Sequence, residues 1–225
     1  MSRDAKTNAA AAALELVENG MRLGIGTGST AAEFIRLLGV RVAGGLEVVG
    51  VPTSEISAEQ CRGLGIGLTT LDETPALDLA VDGADEFDPA LNLVKGGGGA
   101  LLREKIVAAA AARFVVIADA TKRVDVLGAF PLPVEIIPMA RRPLAERIAG
   151  WGAEVSLRRS ADGRAFVSDE GHHILDCAFG PTIGNPADLA QRLAALPGVV
   201  EHGLFCGMAE RVIIGRENGV ETLLA

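Results

Sequence analysis

Asp82, Asp85, Lys95 and Glu104 combine residue types and spacing that could do chemistry. Asp82 and Asp85 stand three apart in VDGADEFD, with Gly83 and Ala84 between them and Asp88 shortly after. Neighbouring carboxylates repel unless a cation or hydroxyl groups sit between them, and a polyol such as a sugar supplies hydroxyls. The plain alternative is an Asp-rich turn closing a strand. The spacing D-x-x-D-E lacks the alternating ligands of a calcium loop. In KGGGGALLRE, Lys95 ends a strand and can hold an anion or a developing oxyanion. The four glycines that follow are costly in entropy, so the backbone there must do something that side chains would block. Glu104, early in the next helix, can act as a base. Taken alone, it also reads as a solvated helix glutamate paired with Arg103 or Lys105.

GIGTGST, from Gly24 to Thr30, follows an apolar strand and opens a helix. Small residues let backbone N–H groups turn towards an anion, and the helix adds its positive end. Ser29 and Thr30 add hydroxyl donors. A dinucleotide loop does not fit, because Ser29 stands where the third glycine of GxGxxG belongs and the next strand ends in VPTS without an acid. A nucleoside-triphosphate loop would need a following lysine. Otherwise the segment is a tight strand-to-helix turn. Lys122, in IADATKRVD, and Lys6, near the N-terminus, are candidate phosphate contacts that read as surface lysines when taken singly.

Other chemistries are disfavoured. His172 and His173 are adjacent on an expected strand and would point to opposite faces, so they do not chelate one metal. His202 is isolated, and no Ser-His-Asp set is evident. Cys61, Cys177 and Cys206 are far apart and have no zinc spacing. The net charge is −8 with no basic run, which argues against nucleic acid. Apolar runs are too short to span a membrane, and the N-terminus has no signal-peptide core. A cytoplasmic location is expected.

These loops need a frame. The chain of 225 residues is 49% hydrophobic with few aromatics, so Ala, Val, Leu and Ile fill its core. Up to about residue 127, apolar strands alternate with helices, as in a parallel, doubly wound α/β sheet. The expected helices cover about 4–19, a stretch from Thr30, 54–65 and the segment after the four glycines. Strands are expected at 21–26, 46–53, 66–71, 77–87, 91–95 and 114–122. From Gly128 the order becomes strand, helix, strands at 153–160, 165–171 and 172–180, helix and strand 199–206, a small ferredoxin-like α+β pattern. The tail, 210–225, reads as two strands around an Asn-Gly turn that rejoin the first sheet. The expected domains are 1–127 with 207–225, and 128–206.

GTGST, VDGADE, KGGGGALLREKI, IADATK and FPLPVEIIPMA, in this order, closely resemble ribose-5-phosphate isomerase, type A, over essentially the whole chain. The resemblance implies interconversion of ribose 5-phosphate and ribulose 5-phosphate in the non-oxidative pentose phosphate pathway. It implies a Rossmann-like domain with a ferredoxin-like lid, a homodimer or pair of dimers, and no metal or other cofactor. It makes Glu104 the proton acceptor. It carries substrate binding to Thr27, Gly28, Ser29 and Thr30, to Asp82, Gly83, Ala84 and Asp85, to Lys95, Gly96, Gly97 and Gly98, and to Lys122. Where family members often have TDNGN, this chain has SDEGH at 168–172.

Moving a carbonyl between C1 and C2 requires one base on one face, through a cis-enediolate. Glu104 fits that role, and Lys95 would steady the negative oxygen. Asp82 or Asp85 would shuttle the ring-opening proton. Lys95 should lower nearby carboxyl pKa values while burial raises them. Rival readings are an aminosugar-phosphate deaminase or lactonase, which would want a histidine beside these loops, a sugar-phosphate sensor, which would want a DNA-binding extension, and a dinucleotide-binding protein.

Overall fold

The computed structural model describes residues 3–225. Helix α1 (Arg3–Leu14) is followed by β1 (Arg22–Ile25), α2 (Ser29–Ala43), β2 (Val49–Pro52), α3 (Glu55–Gly63) and β3 (Gly67–Leu68). Next come β4 (Leu79–Asp82), β5 (Glu86–Phe87), β6 (Leu93–Val94), α4 (Leu101–Ala109) and β7 (Phe114–Asp119). The second half holds β8 (Leu132–Ile136), α5 (Arg141–Ala149), β9 (Glu154–Leu157), β10 (His173–Ala178), α6 (Pro186–Ala194) and β11 (Val199–His202). It closes with β12 (Leu204–Phe205), β13 (Arg211–Arg216) and β14 (Gly219–Leu224).

The central sheet has seven strands in the order β14-β13-β7-β4-β1-β2-β3. All its pairs are parallel except β13 with β14. Its strands are apolar on both faces because helices cover both. In β7, Val115 and Ile117 join the core beneath α1 and α2 with Phe34 and Leu38. Phe114, Val116 and Ala118 join the opposite core with Val107 and Ala108 of α4. That is the two-residue period of a strand buried on both sides.

Strand order reverses at β1 and β4. The chain leaves β1 towards β2 on one side and leaves β4 towards β7 on the other. The loops after β1, β4 and β7 therefore open a crevice at their carboxyl ends, where ligands bind in such sheets. The in-register pairing of Ile25 with Val81 keeps the first two loops side by side.

A four-stranded antiparallel sheet, β11-β8-β10-β9, carries α5 and α6 in the expected ferredoxin-like order. A three-stranded sheet, β12-β6-β5, lies between the two. The expected strand 199–206 breaks at Gly203, so β11 and β12 enter different sheets. Gly203 O accepts from Lys95 N (2.9 Å), and Gly203 N donates to Pro133 O (2.8 Å).

Other differences from the sequence expectations have local causes. α1 ends at Leu14, and Leu16 and Val17 donate to Ala13 and Leu14 in tightened turns. The expected strands at 46–53 and 66–71 shrink to Val49–Pro52 and Gly67–Leu68. Residues 165–171 form no strand. Ala165 makes only an isolated bridge to Arg159, and a turn then closes from Ser168 O to Gly171 N (2.9 Å), so His172 precedes β10 and only His173 lies on it.

Candidate active site

Each functional side chain is delivered by a strand end or a helix start. α4 opens after the glycine turn, and Glu104 lies in its first turn with 6% of its surface exposed. Its neighbours do not pair with it. Arg103 reaches Glu55 (2.8 Å) and Glu170 (2.5 Å), while Lys105 reaches Glu201 (2.7 Å) and the His202 carbonyl (2.6 Å). The solvated-glutamate alternative is therefore overturned.

Lys95, directly after β6, is 2% exposed and lies between two carboxylates. Its Nζ is 3.0 Å from Asp82 Oδ2 and 3.3 Å from Glu104 Oε2, and it donates to Gly83 O at 2.6 Å. Both carboxylate contacts are ion pairs without hydrogen-bond alignment. Asp82 Oδ2 and Glu104 Oε2 are thus buried oxygens with no hydrogen-bond partner. Of the two residues, Glu104 lines the cavity, where its carboxylate can meet a substrate proton.

Burial is the largest influence on Glu104 and raises its pKa. Lys95 opposes it, the Asp82 charge adds to it, and the result is a carboxyl pushed up to about 8. Of the two effects anticipated from the residues, burial wins. For Lys95, burial works against the charge, but Asp82 and Glu104 outweigh it and the ammonium is held above its ordinary value.

Asp82 sits behind this pair, 3% exposed. Its Oδ1 accepts from Thr27 N (3.0 Å) and Gly83 N (2.7 Å), which ties the first two loops together. The approach is close enough to require glycine at position 26, where a Cβ would lie 2.2 Å from Asp82 Oδ1. Asp85 is half-buried and faces the crevice, and its Oδ2 accepts from Gly97 N at 2.6 Å.

The crevice is a cavity of about 340 Å³. Thr27, Gly28, Ser29, Thr30, Gly83, Ala84, Asp85, Lys95, Gly96, Gly97, Gly98, Glu104, Lys122 and Lys6 all line it. Of the residues expected from sequence, only Asp82 stands back from its wall. Lys6 of α1 donates from Nζ to Ser29 Oγ (2.6 Å), which brings a cation to the start of α2. Thr27 turns its hydroxyl away from the cavity, to Thr53 (2.8 Å) and Ser54 (2.7 Å).

Sequence reasoning missed Asp119 and Thr121, which also line the cavity. Asp119 ends β7 and accepts from Thr121 N (2.8 Å) and from the Thr121 hydroxyl, shaping the turn that presents Lys122. The signal was present: an acid at the end of an apolar strand, followed two residues later by threonine, is an N-cap pattern. It also missed the segment 165–171 as a wall support. Asp169 Oδ2 accepts from Glu55 N (3.1 Å) at the start of α3, and Ser168 Oγ donates to the buried Glu135 (2.7 Å).

Among the described residues, no group of three or more His, Cys, Asp or Glu side chains is placed to hold a metal, and no helix is long and apolar enough to cross a membrane.

A family model described as ribose 5-phosphate isomerase A (phosphoriboisomerase A) matches residues 49–219. A ribose-5-phosphate isomerase A of Rhizobium etli (strain CIAT 652) is 57% identical, with 100% of this chain and 98% of the relative covered. Among solved structures, ribose 5-phosphate isomerase A from Methanocaldococcus jannaschii is 41% identical with a TM-score of 0.95, covering 100% of both chains. A D-ribose-5-phosphate isomerase in complex with phospho-erythronic acid is 40% identical with a TM-score of 0.96, again over 100% of both chains.

Proposed function

This chain belongs to the ribose 5-phosphate isomerase A family and is an aldose–ketose isomerase, and we propose that it interconverts ribose 5-phosphate and ribulose 5-phosphate through a cis-enediolate with Glu104 as the base. The observation that carries this mechanism is the buried Glu104 Oε2, without a hydrogen-bond partner, 3.3 Å from the Lys95 ammonium. A base must be able to both take and return a proton. A carboxyl whose pKa is pushed up to about 8 does both near neutral pH.

In this reading Glu104 removes the proton from C2 of the open-chain aldose and returns it to C1. Negative charge grows on oxygen as the enediolate forms. Lys95 lies beside that charge already desolvated and oriented, so it stabilises the transition state more than the ground state. Asp85 faces the cavity and shuttles the ring-opening proton. Asp82 acts through Lys95, which it holds in position. Ser29, Thr30 and Lys6 take the phosphate at the start of α2, where free N–H groups and the helix end favour an anion. Lys122 closes the opposite wall.

We place the reaction in the non-oxidative pentose phosphate pathway and the protein in the cytoplasm as a homodimer, with no metal or other cofactor. Residues 1–127 with 207–225 form the catalytic unit and 128–206 the lid. Residues 1 and 2 lie outside the described residues. Phospho-erythronic acid, the ligand of the structural relative, pairs a phosphate with a carboxylate charged as an enediolate is. It should compete with substrate here.

The test is NMR of the protein with ribose 5-phosphate in D2O. Ribulose 5-phosphate carrying solvent deuterium is the expected product, and Glu104→Gln is expected to abolish turnover while phospho-erythronic acid still binds. Near-normal turnover by that variant would remove Glu104 as the base.

A further inference from the structure

The tetraglycine turn is closed by a hydrogen bond from Gly99 N to Gly96 O at 2.9 Å. It has no side chains, Gly96 and Gly99 adopt φ of 99° and 87°, and Gly97 and Gly98 are exposed. Arg158, just past β9, reaches it from the other sheet. Its Nη1 donates to Gly96 O at 2.7 Å and to Gly97 O at 3.2 Å. The other edge of the guanidinium is gripped by Asp176 of β10, with Nε 3.1 Å from Oδ2 and Nη2 2.5 Å from Oδ1. Both side chains are largely withdrawn from solvent, at 13% and 24% exposure. Phe166 lies beside the guanidinium, 5.9 Å from it to the ring centre. The same ring seats against Gly99, where a Cβ would come within 2.4 Å of it.

Peptide planarity turns these contacts into a statement about the site. In a trans peptide, C=O and N–H point in opposite directions. The Gly96–Gly97 peptide has its oxygen on Arg158 and its N–H on Asp85, at 2.6 Å. The Gly97–Gly98 peptide has its oxygen on Arg158, so its N–H faces away from Arg158, on the side where Gly98 lines the cavity. The bidentate edge of the guanidinium is taken by Asp176, which fixes the plane of the group and so directs Nη1 at both carbonyls, an orientation that a freely rotating ammonium lacks.

We propose that Arg158, held by Asp176, is a positioning residue of the isomerase: it locks two peptide planes of the glycine turn and so aims the Asp85 carboxylate and the Gly98 N–H at the sugar. The proposal rests on the reading of Asp85 and the glycine turn given above. Arg158 touches no reacting atom. Its effect is on alignment, where displacements of about 1 Å cost on the order of 100-fold in rate.

The experiment compares Arg158→Met, Arg158→Lys and Asp176→Asn with the unaltered protein, by kcat, KM, inhibition by inorganic phosphate and the pH profile. For Arg158→Met, kcat should fall by about 10- to 100-fold. Phosphate inhibition should stay within about twofold, because the phosphate end is held elsewhere, and the acid limb set by Glu104 should not move. Arg158→Lys should recover part of the loss, and Asp176→Asn should lose less in the same direction. Arg158→Met with kcat within about threefold of the unaltered protein would overturn the proposal. So would an equal loss of phosphate affinity, which signals general collapse of the cleft. If Arg158→Met does not fold, the other two variants decide, and unaltered kcat in both overturns it. Glu104→Gln is run in parallel: turnover by that variant refutes the base assignment and leaves the Arg158 comparison interpretable.

Discussion

Glu104→Gln should make the protein more resistant to unfolding at alkaline pH, and the gain follows from burial. In the unfolded chain a glutamate titrates near 4.5, whereas in the native protein Glu104 holds its proton to about 8. Between those values the native state binds more protons than the unfolded state, so stability falls as pH rises. The difference of about 3.5 units, at about 1.4 kcal/mol each, gives a ceiling of about 5 kcal/mol, fully developed above pH 8. Glutamine has nearly the same shape and no charge, and Lys95 keeps Asp82 at 3.0 Å and the Gly83 carbonyl at 2.6 Å. The assay is urea unfolding of both proteins at one fixed protein concentration, from pH 5 to pH 9. The stability advantage of the variant should grow from pH 5 to about pH 8 and level off towards pH 9. Two curves that run parallel within about 0.5 kcal/mol would show that Glu104 titrates normally in the native state, and the reasoning from burial would fail.

The same titration should appear in kcat/KM, which should rise about tenfold per pH unit up to about pH 8 and stand near 1% of its plateau at pH 6. A flat profile from pH 6.5 to 8.5 would contradict it. Lys95→Met should lower kcat by on the order of 100-fold or more. It should also destabilise the fold by about 3–5 kcal/mol at neutral pH, because it strands the buried Asp82 charge, and steady-state kinetics with denaturant melts check both. Lys6→Ala should raise KM by about tenfold while leaving kcat within a few-fold, as expected of a contact made equally in ground and transition states. Prolonged chelation should leave activity unchanged, because Lys95 already supplies the cation beside the base. Activity lost to chelator and restored by a divalent ion would refute that.

Much of the site was legible in the sequence because backbone geometry leaves marks in residue type. Gly26 must be glycine to let Asp82 cross between two loops, and such glycines stand out in a chain of larger residues. The four glycines at 96–99 announced a close approach for the same reason. The alternating strands and helices were legible because a sheet covered on both faces needs continuous apolar runs, as in FVVIAD. What stayed hidden depends on distant partners. Nothing local to Glu104 says that Arg103 and Lys105 turn away to Glu170 and Glu201. Residues 165–171 begin with strand formers, but Ser168–Gly171 close a turn, with Gly171 N donating to Ser168 O at 2.9 Å and Gly171 at φ 81°, and Asp169 is drawn to the start of α3. Arg158 gave no signal at all, because its role is defined by two carbonyl groups some sixty residues away.

The place of β13 in the central sheet sets the order in which the cleft can be completed. β13 pairs with β7, whose end carries Asp119 and leads to Lys122, and α1 lies on β13 so closely that a Cβ on Gly215 would fall 1.8 Å from Ala5 O. Lys6 belongs to that same turn of α1. During synthesis, the helix that brings Lys6 can dock early on α2 and β7, but its close seat on β13 is completed only by a strand made after all of residues 128–206. Until Arg211–Arg216 leave the ribosome, β7 is an unpaired edge and one wall of the cleft lacks its backing. A nascent chain halted before that point should bind substrate poorly and offer its open edge to other chains. The backing of the Lys6 and Lys122 walls is thus the part of the cleft completed last, when β13 seats between β7 and the first helix.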